Sequence, residues 1–375
     1  MNFRFMRIAI DARMMGPMAT RGIGRYTEEL VRALISLKTA HTFVLLERDP
    51  ESSVFNCAPD VEHIKADVPW YRWEEQTRMP GLIESTHADL VHFPHWNVPF
   101  NYRGPTVLTI HDLLLRHQPG SAKASLKNPF IAWTKRLGQR IVLRRAIDQA
   151  RAILVPTHFV ERDVHKMYPL TATKVTVTGE GLSRLPTPDF CRVPSNPFIL
   201  YVGSAYPHKR LDFLVDAWQA IHAYHPDLSL VIAGEEDVFM ARHVASVKQK
   251  NLPRVIFTGR VTDAELAGLY QRAELFVFPS SFEGFGLPPI EALSYGCPVV
   301  SSDSTCLPEV LPKDGVFFFK SGDKDAMIRA IDTAFGQLSL AKQSAQAQRP
   351  LIEQTYRWEE VAKKTLGAYE RVIHA

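Results

Sequence analysis

Glu283 and Glu291 flank a Gly-Phe-Gly turn and a pair of prolines in the run Glu283-Gly-Phe-Gly-Leu-Pro-Pro-Ile-Glu291. Pro288 and Pro289 fit a first helical turn, where the N–H that proline lacks would have no partner anyway. Gly284 and Gly286 leave the preceding backbone bare, so amide N–H groups and the positive end of a helix dipole face whatever enters. Such a turn attracts an anion. Carboxylates beside it accept hydrogen bonds from hydroxyls, so the combination suits a phosphate ester that carries sugar hydroxyls. A plain strand-to-helix turn with a dipole-favoured Glu is the competing reading. Lys209 stands just before a helix predicted to begin near Leu211, where the dipole disfavours a cation unless an anion compensates it. Lys209 therefore reads as a phosphate ligand. His111 follows the strand-like run 107–110, at the carboxyl edge where parallel sheets bind ligands.

The elements that must position these residues alternate along the chain. Apolar runs at 7–10, 42–46, 89–93, 107–110 and 152–155 read as strands separated by helix-like stretches, the pattern of a parallel sheet covered on both faces. Proline-rich stretches at 185–188 and 194–197 mark a boundary. Runs at 198–202, 228–232, 255–257, 275–278, 298–300 and 316–319 then restart the series. The expected domains are 1–190 and 196–356. Arg21-Gly-Ile-Gly-Arg-Tyr26 reads as another glycine loop, opening a helix at Thr27; it is too late after the strand, and one glycine short, for a dinucleotide fingerprint. Thr262-Asp-Ala-Glu265 fits a capping box. Asp323-Lys-Asp325 fits a helix cap better than a metal site.

A chain of 375 residues is long enough for two cores, and 46% hydrophobic with 22% charged residues is ordinary for a soluble protein. A net charge of +4 is too slight to argue nucleic-acid binding. Four cysteines without metal-ligand spacing suggest a reduced, cytoplasmic setting and no structural metal. The first residues enter a strand-like run without a signal-peptide stretch, and no run approaches the ~18 apolar residues that span a bilayer. Segment 122–145 holds seven Lys or Arg and no acid, with Trp133, Leu137 and Ile141 at helical spacing. Either that stripe packs on the core and the charges are solvated, or the helix lies on an anionic membrane.

The run from Glu283 to Glu291 resembles the signature of retaining glycosyltransferases of family 4. The resemblance continues through Gly203-Ser-Ala-Tyr-Pro-His-Lys-Arg210, Phe257-Thr-Gly-Arg-Val261, Leu307-Pro-Glu-Val310 and 356–369. It implies an α/β GT-B fold: two Rossmann-like domains facing across a cleft, the first completed by a C-terminal helix at about 357–375. It implies a nucleotide diphosphate sugar as donor substrate, with no cofactor and no metal. By the same resemblance Glu283 holds sugar hydroxyls and Glu291 the ribose. Gly203, Lys209 and Arg210 belong to the diphosphate-holding segment. Gly284, Phe285, Gly286 and Leu287 complete the donor loop, and the backbone of Val261 pairs with the base. His111 contacts the transferred sugar, and Gly22 and Gly24 the diphosphate or the acceptor. His111, Glu283 and Lys209 are then the catalytic candidates. The chain departs from the family at His208, where the pattern has Arg, and at Arg210, where it has Asn, so one fixed charge has moved.

The sequence looks like bacterial mannosyltransferases that build surface polysaccharides. That implies GDP-mannose, an oligosaccharide or lipid-linked saccharide acceptor, and peripheral contact with the inner face of the plasma membrane through 122–145. UDP-glucose or a GDP-deoxyhexose fits nearly as well, because base recognition by backbone leaves little trace in side chains. Two rivals are a sugar-nucleotide epimerase on the same fold, which would turn over donor with no acceptor, and a non-catalytic sugar-nucleotide-binding protein, in which His111 would be replaceable.

Overall fold

Every apolar run named above becomes a strand, and every strand pair among the described residues is parallel. The computed structural model describes residues 5–16, 21–118, 129–183 and 186–374, without the side chains of 21 and 129–136. The chain forms two units: Met1–Leu113, Asn128–Gly181 and Arg357–Ala375 make the first, Leu114–Lys127 and Leu182–Tyr356 the second. The change of unit thus falls at Gly181/Leu182, before the prolines that marked it in the sequence.

The first unit contains β1 (Arg7–Asp11), β2 (Thr42–Glu47), β3 (Val61–Lys65), β4 (Leu90–Phe93), β5 (Thr106–Thr109), β6 (Ala152–Val155) and β7 (Val175–Val177), in the order β3-β2-β1-β4-β5-β6-β7. Side chains alternate across a strand, and here both faces are buried. Ile8 and Ile10 pack on one side with Phe43, Leu45 and Leu154, while Ala9 packs on the other with Val44, Val91 and Ile153. Helices cover each face. The Arg21–Ser36 and Trp358–His374 helices supply Tyr26, Leu30, Leu34, Val361 and Tyr369 to the first cluster.

One expectation is corrected in this unit, and one open alternative is narrowed. Gly22 and Gly24 do not form a loop before a helix; they lie inside the helix, which starts at Arg21. Each glycine costs a helix about 1 kcal/mol, but Leu30, Val31 and Leu34 are fully buried, and each such burial contributes about 1.5–3 kcal/mol. Packing therefore wins over propensity. Of the apolar stripe on the Pro129–Gln149 helix, Leu137 and Ile141 stand away from the core. Leu137 and Ile141 are 43% and 50% exposed, and Leu143, Ala146 and Ile147 face inward instead. Trp133 and the 122–128 part of the basic segment lie outside the described side chains and residues.

The second unit contains β8 (Phe198–Val202), β9 (Ser229–Ala233), β10 (Val255–Gly259), β11 (Leu275–Phe278), β12 (Val299–Ser302) and β13 (Val316–Phe319), ordered β10-β9-β8-β11-β12-β13. Ile199, Tyr201, Leu230, Ile232, Val277 and Val300 form its main core with Leu214 and Trp218 from the Leu211–Tyr224 helix. Thr262 and Glu265 make both bonds of a capping box, at 3.2 and 2.7 Å. Asp323 caps the Lys324–Gly336 helix through the Ala326 N–H at 2.8 Å.

In each unit the strand order reverses once, between β1 and β4 in the first and between β8 and β11 in the second. Connections leaving the two central strands diverge there, and open α/β sheets bind ligands in the crevice so formed, outside the carboxyl ends of the strands.

Candidate active site

The loops after β8 and β11 bring the principal sequence-predicted residues together at the reversal point of the second unit. After β8 a single 3-10 turn, Pro207–Lys209, precedes the Leu211–Tyr224 helix. The carbonyl of His208 accepts from the Ser281 N–H at 2.7 Å and from the Ser280 and Ser281 hydroxyls at 3.2 and 3.0 Å, which ties the β8 loop to the β11 loop. Across that tie Lys209 Nζ donates to Glu283 Oε1 at 2.7 Å. The two charged groups are only 21% and 11% exposed. An ammonium has three donors, so pairing with Glu283 leaves capacity for an anionic oxygen.

The Leu287–Ser294 helix starts as its prolines dictate, with Gly286 as N-cap. Gly286 has φ +93°, a backbone conformation that favours glycine, and a Cβ there would lie 2.7 Å from Leu307 Cδ2, which would have to shift. Glu283 N–H donates to Thr305 Oγ1 at 3.0 Å, and Phe285 is buried edge-on against Tyr356. One turn into the helix Glu291 is 7% exposed, and its Oε2 accepts from the Tyr270 hydroxyl at 3.0 Å. This bond orients a buried carboxylate.

The two departures from the family pattern have distinct fates. His208 is buried, and burial together with the neighbouring Lys209 charge pushes its pKa down to about 4, so it brings no charge at neutral pH. Arg210 takes the left-handed φ of +52° at the junction of the turn and the helix. Its guanidinium stacks 3.4 Å from the Phe213 ring and pairs with Asp212 at 3.3 Å. Gly203 and Gly234 meet backbone to backbone at the ends of β8 and β9, where a Cβ on Gly234 would collide with the Gly203 carbonyl. Val261 follows the end of β10, where Arg192 donates to the Thr258 carbonyl at 2.6 Å and to the Arg260 carbonyl at 3.3 Å.

Gly22, Gly24 and His111 belong to the first unit. His111 Nδ1 lies 3.2 Å from Glu180 Oε1, and Nε2 lies 2.9 Å from the Pro94 carbonyl. Two acceptors require a proton on each ring nitrogen, which is the imidazolium. Burial alone would lower the His111 pKa, but Glu180, the Pro94 carbonyl and Asp112 outweigh it and raise it. With both protons engaged, the ring has no lone pair for general-base work.

A family model described as Glycosyltransferase Family 4 matches residues 20–184, and one described as Glycosyl transferases group 1 matches 192–349. The chain is a family 4 glycosyltransferase. This glycosyltransferase is 25% identical to O-antigen chain mannosyltransferase B of Escherichia coli over 93% of its own length and 96% of that protein. It is 26% identical to O-antigen chain mannosyltransferase RfbU of Salmonella typhimurium over 70% and 69% of the two chains. Sucrose-phosphate synthase from Thermosynechococcus elongatus superposes with a TM-score of 0.76 at 21% identity, covering 99% of this chain and all of that one, and the glycosyltransferase has the GT-B fold.

Tyr270 and Thr305 were not legible in the sequence, because each meets its glutamate only through tertiary contact. Among the described residues, no group of His, Cys, Asp and Glu could hold a metal ion, and no helix is long and apolar enough to cross a membrane.

Proposed function

We propose that this glycosyltransferase moves mannose from GDP-mannose, with retention of configuration, to a hydroxyl of a lipid-linked saccharide during surface polysaccharide synthesis. The observation that carries the reading is the Lys209–Glu283 pair placed just before the helix start at Gly286, where the strand order reverses. Cleavage of the sugar–phosphate bond builds negative charge on the departing diphosphate, and a fixed ammonium with a helix N-terminus stabilises that charge without a divalent cation. Glu283 then serves the hexose hydroxyls and Glu291 the ribose. His111 is assigned to the transferred hexose as an electrostatic contact. The mannosyl donor and the polysaccharide setting rest on the names of the two O-antigen relatives. Membrane contact through 122–145 is supported by exposed Leu137 and Ile141 beside exposed Arg140 and Arg144, since an apolar and basic helix face suits an anionic bilayer surface.

The test is nucleotide diphosphate release in EDTA from GDP-, UDP- and dTDP-sugars, with and without bacterial lipid extract. Release from GDP-mannose, raised by lipid extract, with an α-linked product by NMR, is expected. Release that needs a divalent metal, or that comes from UDP-sugars alone, would overturn the donor and the mechanism.

A further inference from the structure

The loop after β12 has no part in the proposed transfer, yet it holds the donor loop along its length. β11 and β12 pair in parallel, with Phe278 beside Ser301, so the loops leaving them run side by side at the carboxyl edge of the sheet. The Ser304 hydroxyl donates to the Ser280 carbonyl at 2.7 Å. Thr305 Oγ1 accepts from the Glu283 N–H at 3.0 Å. The Cys306 thiol shares its proton between the carbonyls of Glu283 and Phe285, with Sγ 3.3 Å from each. Burial and the nearby Glu283 carboxylate raise the Cys306 pKa, so the thiol stays protonated and remains a donor.

Two features show that these bonds do more than close a turn. The Glu283 N–H belongs to the peptide before its Cα, and the Glu283 carbonyl to the peptide after it. Peptide units are planar, so Thr305 and Cys306 together fix the planes on both sides of Glu283, and with them its φ, its ψ and the direction of its Cα–Cβ bond. Only side-chain rotation is then left to the carboxylate, and Lys209 takes that up at 2.7 Å. The second feature is the backbone of Thr305, whose φ of +53° is left-handed. A β-branched residue there is an outlier, and strain of this kind persists only where the surroundings over-determine it, most often at sites that hold a ligand. Glycine would relieve the strain, but it would take the acceptor away from the Glu283 N–H.

We infer that Thr305 and Cys306 are positioning residues for sugar recognition: by fixing both peptide planes of Glu283 they aim its carboxylate at the hexose of the donor, whereas the diphosphate answers to Lys209 and the helix start. The inference rests on the assignment of Glu283 to the hexose hydroxyls. Its signature is selective. A clamp that served only the fold would, when broken, weaken a nucleotide diphosphate and a nucleotide sugar together. A device that aims Glu283 weakens only the ligand that carries a hexose.

The experiment is titration calorimetry on the intact protein with GDP-mannose and GDP, and with UDP-glucose and UDP in parallel. Thr305→Val keeps the β-branch and the left-handed strain and removes only the acceptor. It is expected to raise the nucleotide-sugar Kd about threefold to tenfold, the range of one neutral hydrogen bond, and to leave the nucleotide diphosphate Kd within about twofold of wild type. Thr305→Ser restores the hydroxyl and is expected to bind both ligands within about twofold of wild type. Cys306→Ala is expected to raise the nucleotide-sugar Kd about threefold. Thr305→Gly carries no strain at φ +53° and should withstand more urea than Thr305→Val while sharing its sugar defect, a combination that loss of structure cannot produce. An unchanged nucleotide-sugar Kd in Thr305→Val, equal weakening of nucleotide and nucleotide sugar, or no recovery in Thr305→Ser overturns the inference. Glu283→Ala separates it from the assignment beneath it. If that variant binds the nucleotide sugar as tightly as wild type, the role of Glu283 toward the hexose falls and the inference with it, whereas a defect in Glu283→Ala with none in Thr305→Val overturns the inference alone. Wild-type protein that binds neither nucleotide sugar overturns both.

Discussion

Replacing Lys209 by alanine removes the ammonium that pairs with Glu283 at 2.7 Å and strands a carboxylate that is 11% exposed. Two losses then fall on a diphosphate. One charge-assisted hydrogen bond disappears, worth about 1.5–3 kcal/mol. The stranded carboxylate also repels the incoming anion; at about 6 Å, with an effective dielectric constant of about 40, each pair of unit charges costs about 1.4 kcal/mol. Together they predict a drop in nucleotide diphosphate affinity of about a hundredfold to a thousandfold. The sign of the second step is the sharper test. Adding Glu283→Ala to Lys209→Ala removes the repulsion, so the double variant should bind nucleotide diphosphate about tenfold more tightly than Lys209→Ala alone. Titration calorimetry with GDP and UDP reads this directly, because neither ligand carries a hexose and any role of Glu283 toward the sugar drops out. A double variant no better than the single one, or a Lys209→Ala protein that binds as well as wild type, would refute the assignment of this pair to the diphosphate.

Other outcomes follow from the same geometry. Tyr270→Phe removes the hydroxyl that donates to Glu291 at 3.0 Å and should raise the donor KM by about threefold to tenfold with little change in kcat, as loss of one hydrogen bond to a charged group implies. Gly286→Ala forces a side chain into φ +93° and against Leu307; a loss of about 1–3 kcal/mol in urea unfolding of the second unit's transition is expected. His111 has a folded-state pKa above its ordinary 6.5, so its contribution to stability is complete below 6.5 and fades as pH rises through the folded value. Glu180→Gln leaves burial as the dominant influence and lowers that pKa. The variant should be less stable than wild type in acid, with the gap in Tm closing toward alkaline pH.

Sequence reasoning located the interior strands because they are continuous apolar runs buried on both faces: β6, β8 and β11 begin and end where such runs do, and the edge strand β13 was found because it too is an unbroken apolar run. It missed β3 and β7, which are edge strands with half-exposed residues and no such run. Gly22 and Gly24 misled because helix propensity is local, whereas the Arg21–Ser36 helix is fixed by the core it covers. Glu283, Gly286, Glu291 and Lys209 were legible because a strand, a turn and a helix start are written in consecutive residues. The hold of Thr305 and Cys306 on Glu283 was not, since only the pairing of β11 with β12 brings the two stretches together. The Lys209–Glu283 contact was likewise hidden, because two separately read loops meet there through the His208 carbonyl.

The Trp358–His374 helix gives the order of events during synthesis a particular shape. Its Tyr369 hydroxyl bonds to His92 Nδ1 at 2.6 Å, its Val361, Ala362 and Val372 pack with Ile8 and Ile10, and the Trp358 ring fills the space that a side chain at Gly181 would need. Residues 5–113 and 129–181 therefore lack a wall of their core until residues 358–374 emerge, while Leu182–Tyr356, made between them, can close beforehand. The later-made unit is the one equipped to fold first. A premature stop near residue 357 would accordingly spare the unit it adjoins and leave apolar surface open on the one made before it, the kind of surface on which chaperones and proteases act.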